Sequence, residues 1–363
     1  MSSITEKRSS FRILLILTGG TIGTVIGEDG LRRLPVPEDE GGASGGDAEP
    51  LLLAALKSRA PELSLDVTVR VPYQVLSEHM TLSHLEKLAE CLGSEGVTEY
   101  DGIFITHGSD TLAYTAAFLS ELMKGCPVPV FLLATQMPLE DPESNGAENT
   151  LAAVQLMQEF RMMRGGGERD SENMTADSVY VPYRNSDGIM YLHRSGELRQ
   201  CRPGTDDFFS DGMKVLEKKE GRYVVPEGWM ARSTDMEGCP AEETDNGFDV
   251  SDGSTEECKW RVPHISLAPD VLLLHPYVGI RYDSISLEGV RAVLHTLYHS
   301  STAPKELTGF LDRCREAQVP CYILPCDPED CHYETTMELL EHGAVPLSGV
   351  TEESAYMKLL MSF

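Results

Sequence analysis

Residues 11–23 read FRILLILTGGTIG and residues 101–112 read DGIFITHGSDTL; in both, a short apolar run ends on a polar, glycine-bearing turn. A continuous apolar run bounded by turn signals suits a strand buried on both faces, because neither face meets water. Residues 63–73 (LSLDVTVRVPY) and 128–134 (VPVFLLA) are further candidate strands, and residues 82–92, 111–123 and 148–160 carry helical spacing. Strands alternating with helices predict an α/β domain, its sheet parallel with helices on both faces. In such sheets, sites gather where strands end and the following loops begin. Three strands run directly into unusual polar turns, after Leu17, Thr106 and Ala134.

Over residues 211–261 the pattern dissolves into acid, Gly, Ser and Thr with few large apolar residues, which reads as a linker carrying an exposed insertion. A second, smaller α/β unit follows. Residues 270–278, 292–298 and 320–326 are its buried strands; residues 305–318, 335–343 and 351–361 are its helices. The expected domains are therefore residues 1–212, an acidic linker at 213–262, and a C-terminal unit at 263–363. No internal repeat is present.

The 363 residues carry 58 Asp plus Glu against 30 Lys plus Arg, a formal net charge of −28. Such a surface repels phosphate backbones and anionic headgroups, so neither nucleic acid nor a membrane is expected as a partner. The nine cysteines are scattered rather than densely spaced, which fits reduced thiols and a cytoplasmic location. Cys321, Cys326, Cys331 and His332 fall close together but lack paired CxxC spacing, and no metal is expected there. The N-terminal apolar run is short and leads into a Gly-rich turn, unlike a signal peptide. No stretch approaches the roughly 18 apolar residues needed to span a bilayer.

The first turn is Thr18-Gly19-Gly20-Thr21-Ile22-Gly23. Adjacent glycines let backbone approach a ligand and leave N–H groups free, with the Thr21 hydroxyl in their midst. It matches neither nucleotide-loop pattern, and a Gly pair can simply punctuate a structural turn. The second is Thr106-His107-Gly108-Ser109-Asp110-Thr111-Leu112, at the start of a helix. Ser109 or Asp110 could merely cap that helix. Three hydroxyls, a carboxylate and a glycine exceed what one cap needs, and a hydroxyl beside a carboxylate suits holding and attacking a polar substrate.

With both turns in one parallel sheet, the chain resembles the bacterial-type L-asparaginase family. TGGTIG is similar to that family's first threonine motif and HGSDTL to its second. Residues 77–81 (SEHMT) resemble the segment that binds the amino-acid end of the substrate, and residues 134–139 and 144–149 resemble two further motifs in the same order. The resemblance implies an asparaginase-like parallel-sheet domain with a smaller α/β domain, hydrolysing L-asparagine or a related ω-amide without a cofactor. By resemblance, Thr21 is the nucleophile, beside Gly20, and forms an acyl-enzyme. Ser109 supplies a second hydroxyl and Asp110 holds the substrate ammonium and supports proton transfer. Ser77 and Glu78 fix the α-carboxylate and α-ammonium, and backbone N–H groups around Gly108, Ser109, Ala134 and Thr135 stabilise the oxyanion, worth about 3 kcal/mol per donor. A homodimer or homotetramer is implied, with residues 298–302 completing a neighbour's site.

Three positions depart from the family pattern, and one is the G-x-G-N turn, here Tyr298-His299-Ser300-Ser301-Thr302, without the family's amide that helps read the substrate ammonium. The family's lysine, eleven residues before the serine of an F-x-S stretch (here Phe208-Phe209-Ser210), falls on Arg199, whose guanidinium holds charge but is no base. Its lid tyrosine falls on Leu31, which has no hydroxyl. These changes favour, as an alternative, a weakly active or inactive homologue that binds an amino acid as a sensor or regulatory subunit. A third reading is an amidase subunit that passes ammonia to a partner.

Overall fold

A computed structural model describes residues 10–34, 51–165, 178–225, 229, 260–330 and 333–362. The chain divides into two compact units, with residues up to 229 and 260–264 in the first and residues 265–362 in the second. The first unit runs β1 (Phe11–Ile16), β2 (Val25–Ile26), β3 (Arg32–Arg33), α1 (Leu51–Arg59), β4 (Leu65–Arg70) and α2 (Leu82–Ser94). It continues through β5 (Gly102–Thr106), α3 (Leu112–Leu122), β6 (Val130–Leu133), α4 (Gly146–Gly165), β7 (Val179–Arg184) and β8 (Met190–Arg194). Five short strands close it: β9 (Leu198–Arg199), β10 (Phe209–Ser210), β11 (Lys214–Val215), β12 (Lys218–Lys219) and β13 (Arg222–Tyr223).

Seven strands form one sheet in the order β11-β8-β7-β6-β5-β1-β4. The five from β4 to β7 are parallel; β8 runs antiparallel to β7, and β11 antiparallel to β8. β5 and β6 are buried along their whole length, as their unbroken apolar runs require. Two helix pairs, α1 with α4 and α2 with α3, pack against each other. Leu52 and Leu56 of α1 and Leu156, Met157 and Phe160 of α4 share a core with Phe104 and Phe131 of the sheet. Each such side chain, fully buried, contributes about 1.5–3 kcal/mol. Because β4, β1, β5 and β6 are adjacent and parallel, the loops that leave them emerge together at one edge.

The expected linker starts too early. Residues 214–223 are folded, with β11 extending the main sheet and β12 and β13 forming a hairpin. Leu216 is buried, and Tyr223 packs in the core while its hydroxyl donates to Glu148 at 2.5 Å. That carboxylate also pairs with Arg184 at 3.1 Å and Lys218 at 3.2 Å. Two-residue strands whose only buried member is Tyr223 leave almost no periodicity to read. Most of the remaining insertion, residues 230–259, lies outside the described residues.

The second unit is a four-stranded parallel sheet of β14 (Val271–Leu274), β15 (Ala292–Thr296), β16 (Cys321–Leu324) and β17 (Val345–Pro346), with α5 (Leu307–Glu316), α6 (Glu334–Glu341) and α7 (Glu352–Met361). Val293, Ile323, Phe310, Leu311 and Leu339 form its core. In the polar turn at residues 298–302, Tyr298 N–H donates to Thr302 O at 2.8 Å and Ser301 N–H to Tyr298 O at 2.9 Å, with Ser301 at φ +58°. No helix among the described residues is long and apolar enough to cross a membrane.

Candidate active site

The first turn is fastened to its neighbours by backbone. Val75 N–H donates to Thr18 O, and Gly20 N–H donates to Val75 O, both at 3.0 Å. Gly19 and Gly20 sit at φ +107° and +74°, conformations that side chains with a Cβ rarely adopt. Space is as restrictive as φ, since a Cβ on Gly20 would stand 2.2 Å from Gly108 N and one on Gly19 would stand 2.3 Å from Val75 O. Gly20 is thus where the first turn rests on the second. The buried Thr18 hydroxyl donates to Thr106 O, and Thr18 N–H donates to Thr106 Oγ1 at 3.1 Å, tying the ends of β1 and β5 together. Thr21 opens a short 3₁₀ turn, Thr21–Gly23, whose carbonyl accepts from Thr24 N–H at 3.1 Å and from the Thr24 hydroxyl at 2.8 Å. Its own hydroxyl has no hydrogen-bond partner among the described residues.

Ser77 joins the loop after β4 to the second turn. Its buried hydroxyl donates to Asp110 Oδ2 at 2.8 Å and accepts from Asp110 N–H at 3.2 Å, while Thr111 Oγ1 donates to Ser77 O at 3.0 Å. Ser109 and Asp110 therefore do not cap α3. They form a 3₁₀ turn, Ser109–Thr111, ahead of it, and the cap position, Thr111, makes no side-chain capping bond. Glu78 is exposed in the same short turn as Ser77. Beneath, His107 is fully enclosed; Nδ1–H donates to Gly108 O at 2.7 Å and Nε2 accepts from the Thr115 hydroxyl at 2.8 Å. The supporting role of His107 has no sequence signature beyond its place in the motif.

Burial pushes the His107 imidazole down to about 4, although the Gly108 carbonyl favours its protonated form. A depressed histidine contributes stability above its unfolded value near 6.5 and loses it as pH falls toward 4, since the unfolded chain takes the proton first. Between pH 7 and pH 5 this amounts to about 2 kcal/mol at 1.36 kcal/mol per unit. Urea unfolding of a His107→Gln variant is expected to show a correspondingly shallower loss over that interval; an identical pH dependence would mean the imidazole is solvated.

The loop after β6 is braced rather than open. The buried Thr135 hydroxyl lies 2.7 Å from Met137 O, 2.9 Å from Ser144 Oγ and 2.9 Å from Asn145 Oδ1. Asn149 Nδ2 donates to Ala134 O at 3.0 Å, and Asn145 and Asn149 together hold the backbone of Arg184, at 2.8 and 2.9 Å. Ala134 and Thr135 thus have backbone, not side chain, to offer a ligand. Among the described residues no group of three His, Cys, Asp or Glu is placed to hold a metal. Cys321 and Cys326 are buried, and Cys331 and His332 lie outside the described residues.

Residues 12–167, which carry all of these turns, match the family model "Asparaginase, N-terminal". Residues 12–167 are therefore an asparaginase-type N-terminal domain. Among solved structures, a thermostable L-asparaginase from Thermococcus kodakarensis superposes with a TM-score of 0.66 at 19% identity, covering 97% of this chain and 92% of that one. L-asparaginase I from Vibrio cholerae gives 0.66 at 21% identity, covering 98% and 93%. Curated relatives by sequence include a glutamyl-tRNA(Gln) amidotransferase subunit from Aeropyrum pernix, 28% identical over 96% of this chain and 73% of that protein. The corresponding amidotransferase protein of Methanosphaera stadtmanae is 24% identical over 98% and 72%.

Arg199, at the spacing of the family lysine, makes an ion pair away from the second turn. Arg199 is half-exposed and forms a two-point ion pair with Asp211, at 2.7 and 3.4 Å. Its neighbour Gln200 reaches the second turn, where Nε2 donates to Ser109 O at 3.2 Å and also to Asp110 O. Neighbouring residues of an extended segment point to opposite sides, so Arg199 and Gln200 take different partners. Leu31 is exposed in the β2–β3 ribbon that follows the first turn of this asparaginase-type domain.

Proposed function

We propose that this chain hydrolyses the side-chain amide of L-asparagine, with Thr21 as nucleophile. The observation carrying this reading is the Thr21 hydroxyl, uncommitted to any described partner, in a turn that Gly20 seats on Gly108 beside the Ser77–Asp110 pair. Thr21 Oγ1 attacks the amide carbon, the C–N bond breaks, and the hydroxyl proton reaches the departing nitrogen to leave as ammonia. Water then cleaves the acyl ester, releasing L-aspartate and restoring the hydroxyl. Ser109 and Asp110 support the proton transfers; Asp110 and Glu78 receive the substrate ammonium, and Ser77 keeps the Asp110 carboxylate oriented. Backbone N–H groups at Gly108, Ser109 and Thr135 face the developing oxyanion. The assembly is a cytoplasmic homodimer or homotetramer in which residues 298–302 complete a neighbour's site.

The names of the curated relatives favour a second reading, in which the released ammonia serves a partner protein acting on glutamyl-tRNA(Gln). The chain alone, mixed with L-asparagine and L-glutamine, separates the two. Equal amounts of ammonia and L-aspartate from free asparagine are expected. Ammonia only when an amidotransferase partner is added would favour the second reading, and L-aspartate binding without ammonia from either amide would make the pocket a sensor.

A further inference from the structure

The Ser109–Asp110 turn is held from two sides, and only Ser77 figured in the family resemblance. Gln200 follows β9, which pairs with β10 through Arg199 with Phe209 and Leu198 with Ser210. The segment around it is anchored independently. Cys201 Sγ donates to Asp207 O at 3.2 Å, Phe208 N–H donates to Asn185 Oδ1 at 3.1 Å, and Asn185 Nδ2 donates to Phe208 O at 3.0 Å. Gln200 therefore arrives at the turn on a fixed backbone rather than on a free loop. A carboxamide nitrogen has two N–H donors, and here it meets two consecutive carbonyls, those of Ser109 and Asp110. The first belongs to the residue with the second hydroxyl, the other to the residue whose carboxylate Ser77 holds.

We propose that Gln200 is the positioning residue of this site, clamping the Ser109–Asp110 turn through its two carbonyls opposite the Ser77 hydroxyl. The inference rests on the amidohydrolase reading for its kinetic consequences, but not for the clamp itself. A neutral carboxamide supplies direction without a titrating proton, so it orders Ser109 and Asp110 and takes no part in proton transfer. An acceptor in the same place would oppose two carbonyl oxygens, whereas an ammonium would donate to both.

Three variants test this. Gln200→Leu keeps the volume and removes both donors, Gln200→Glu puts an acceptor there, and Gln200→Lys restores donation. Hydrogen–deuterium exchange over residues 107–113, L-aspartate affinity and kcat are measured for each in the full chain. Leu and Glu are expected to speed exchange in that segment and to weaken L-aspartate about tenfold, the equivalent of one or two hydrogen bonds. They should also lower kcat by about 10²-fold, the usual cost of an ångström of misplacement. Gln200→Lys should stay within about threefold of wild type in all three. Wild-type exchange, affinity and kcat in Gln200→Leu would overturn the proposal, as would failure of Lys to rescue where Leu is damaged. If wild type neither binds L-aspartate nor releases ammonia, the amidohydrolase reading falls, and exchange over residues 107–113 still decides whether Gln200 holds the turn.

Discussion

Thr21→Ala is expected to lower ammonia release from L-asparagine by about 10³-fold or more, because the other hydroxyl of the first turn, Thr18, is buried and donates to Thr106 O. L-Aspartate affinity should stay within about threefold, since the proposed grip on the amino-acid end comes from Asp110 and Glu78. Structure should survive as well. The Thr21 hydroxyl bonds to no described residue, and the bonds that shape the turn use its carbonyl, which alanine retains. A stability change within about 0.5 kcal/mol is the expectation for so uncommitted a side chain. Undiminished turnover would point to Ser109, the next hydroxyl in the cluster.

Gly20→Ala should have the next largest effect, by a different route. Here the side chain, small as it is, has nowhere to go. The Gly20 φ of 74° and ψ of 179° lie in a region essentially reserved for glycine, at a cost of about 1–3 kcal/mol for a residue with a Cβ. The overlap with Gly108 N involves backbone on both sides, so no rotamer change relieves it, and about 1–3 kcal/mol more is expected from overpacking. Movement of the first turn away from Gly108 would separate Thr21 from Ser109 and Asp110, lowering kcat by about 10²-fold. Gly30→Ala is the control for stability. Its φ is +77° but nothing stands within 4 Å of an added Cβ, so urea unfolding should report the conformational cost alone. Equal losses in the two variants would mean that Gly20 does not bear on the second turn.

The parts of this molecule that were legible in the sequence are those where burial imposes a simple pattern. β5, β6 and the Ile13–Ile16 part of β1 are buried on both faces and therefore read as apolar runs, and the turns that follow them are marked by glycine and hydroxyl residues. Other parts leave weaker traces. α1 is a nine-residue helix, LLLAALKSR, in which only Leu52 and Leu56 are buried, too little to stand out. Residues 214–223 fold through two-residue strands whose polar composition matches that of a loop. A count along the chain does not tell the two sides of an extended segment apart, and a single position moves a side chain from Ser109 and Asp110 to Asp211. Gln200 has no motif of its own, since its partners are backbone carbonyls that any sequence would provide. Thr135, Asn145 and Asn149 stood out as motif residues, and the geometry gives their side chains bracing bonds within the loop after β6 and to β7.

The central claim is that Thr21 carries the acyl group. Wild-type protein mixed with L-asparagine, quenched in acid within a turnover and digested, allows the peptides containing Thr21 and Ser109 to be weighed separately. An aspartyl ester on the Thr21 peptide, absent from Thr21→Ala, is the predicted result. An ester on the Ser109 peptide, or ammonia released at full rate from Thr21→Ala, would contradict it.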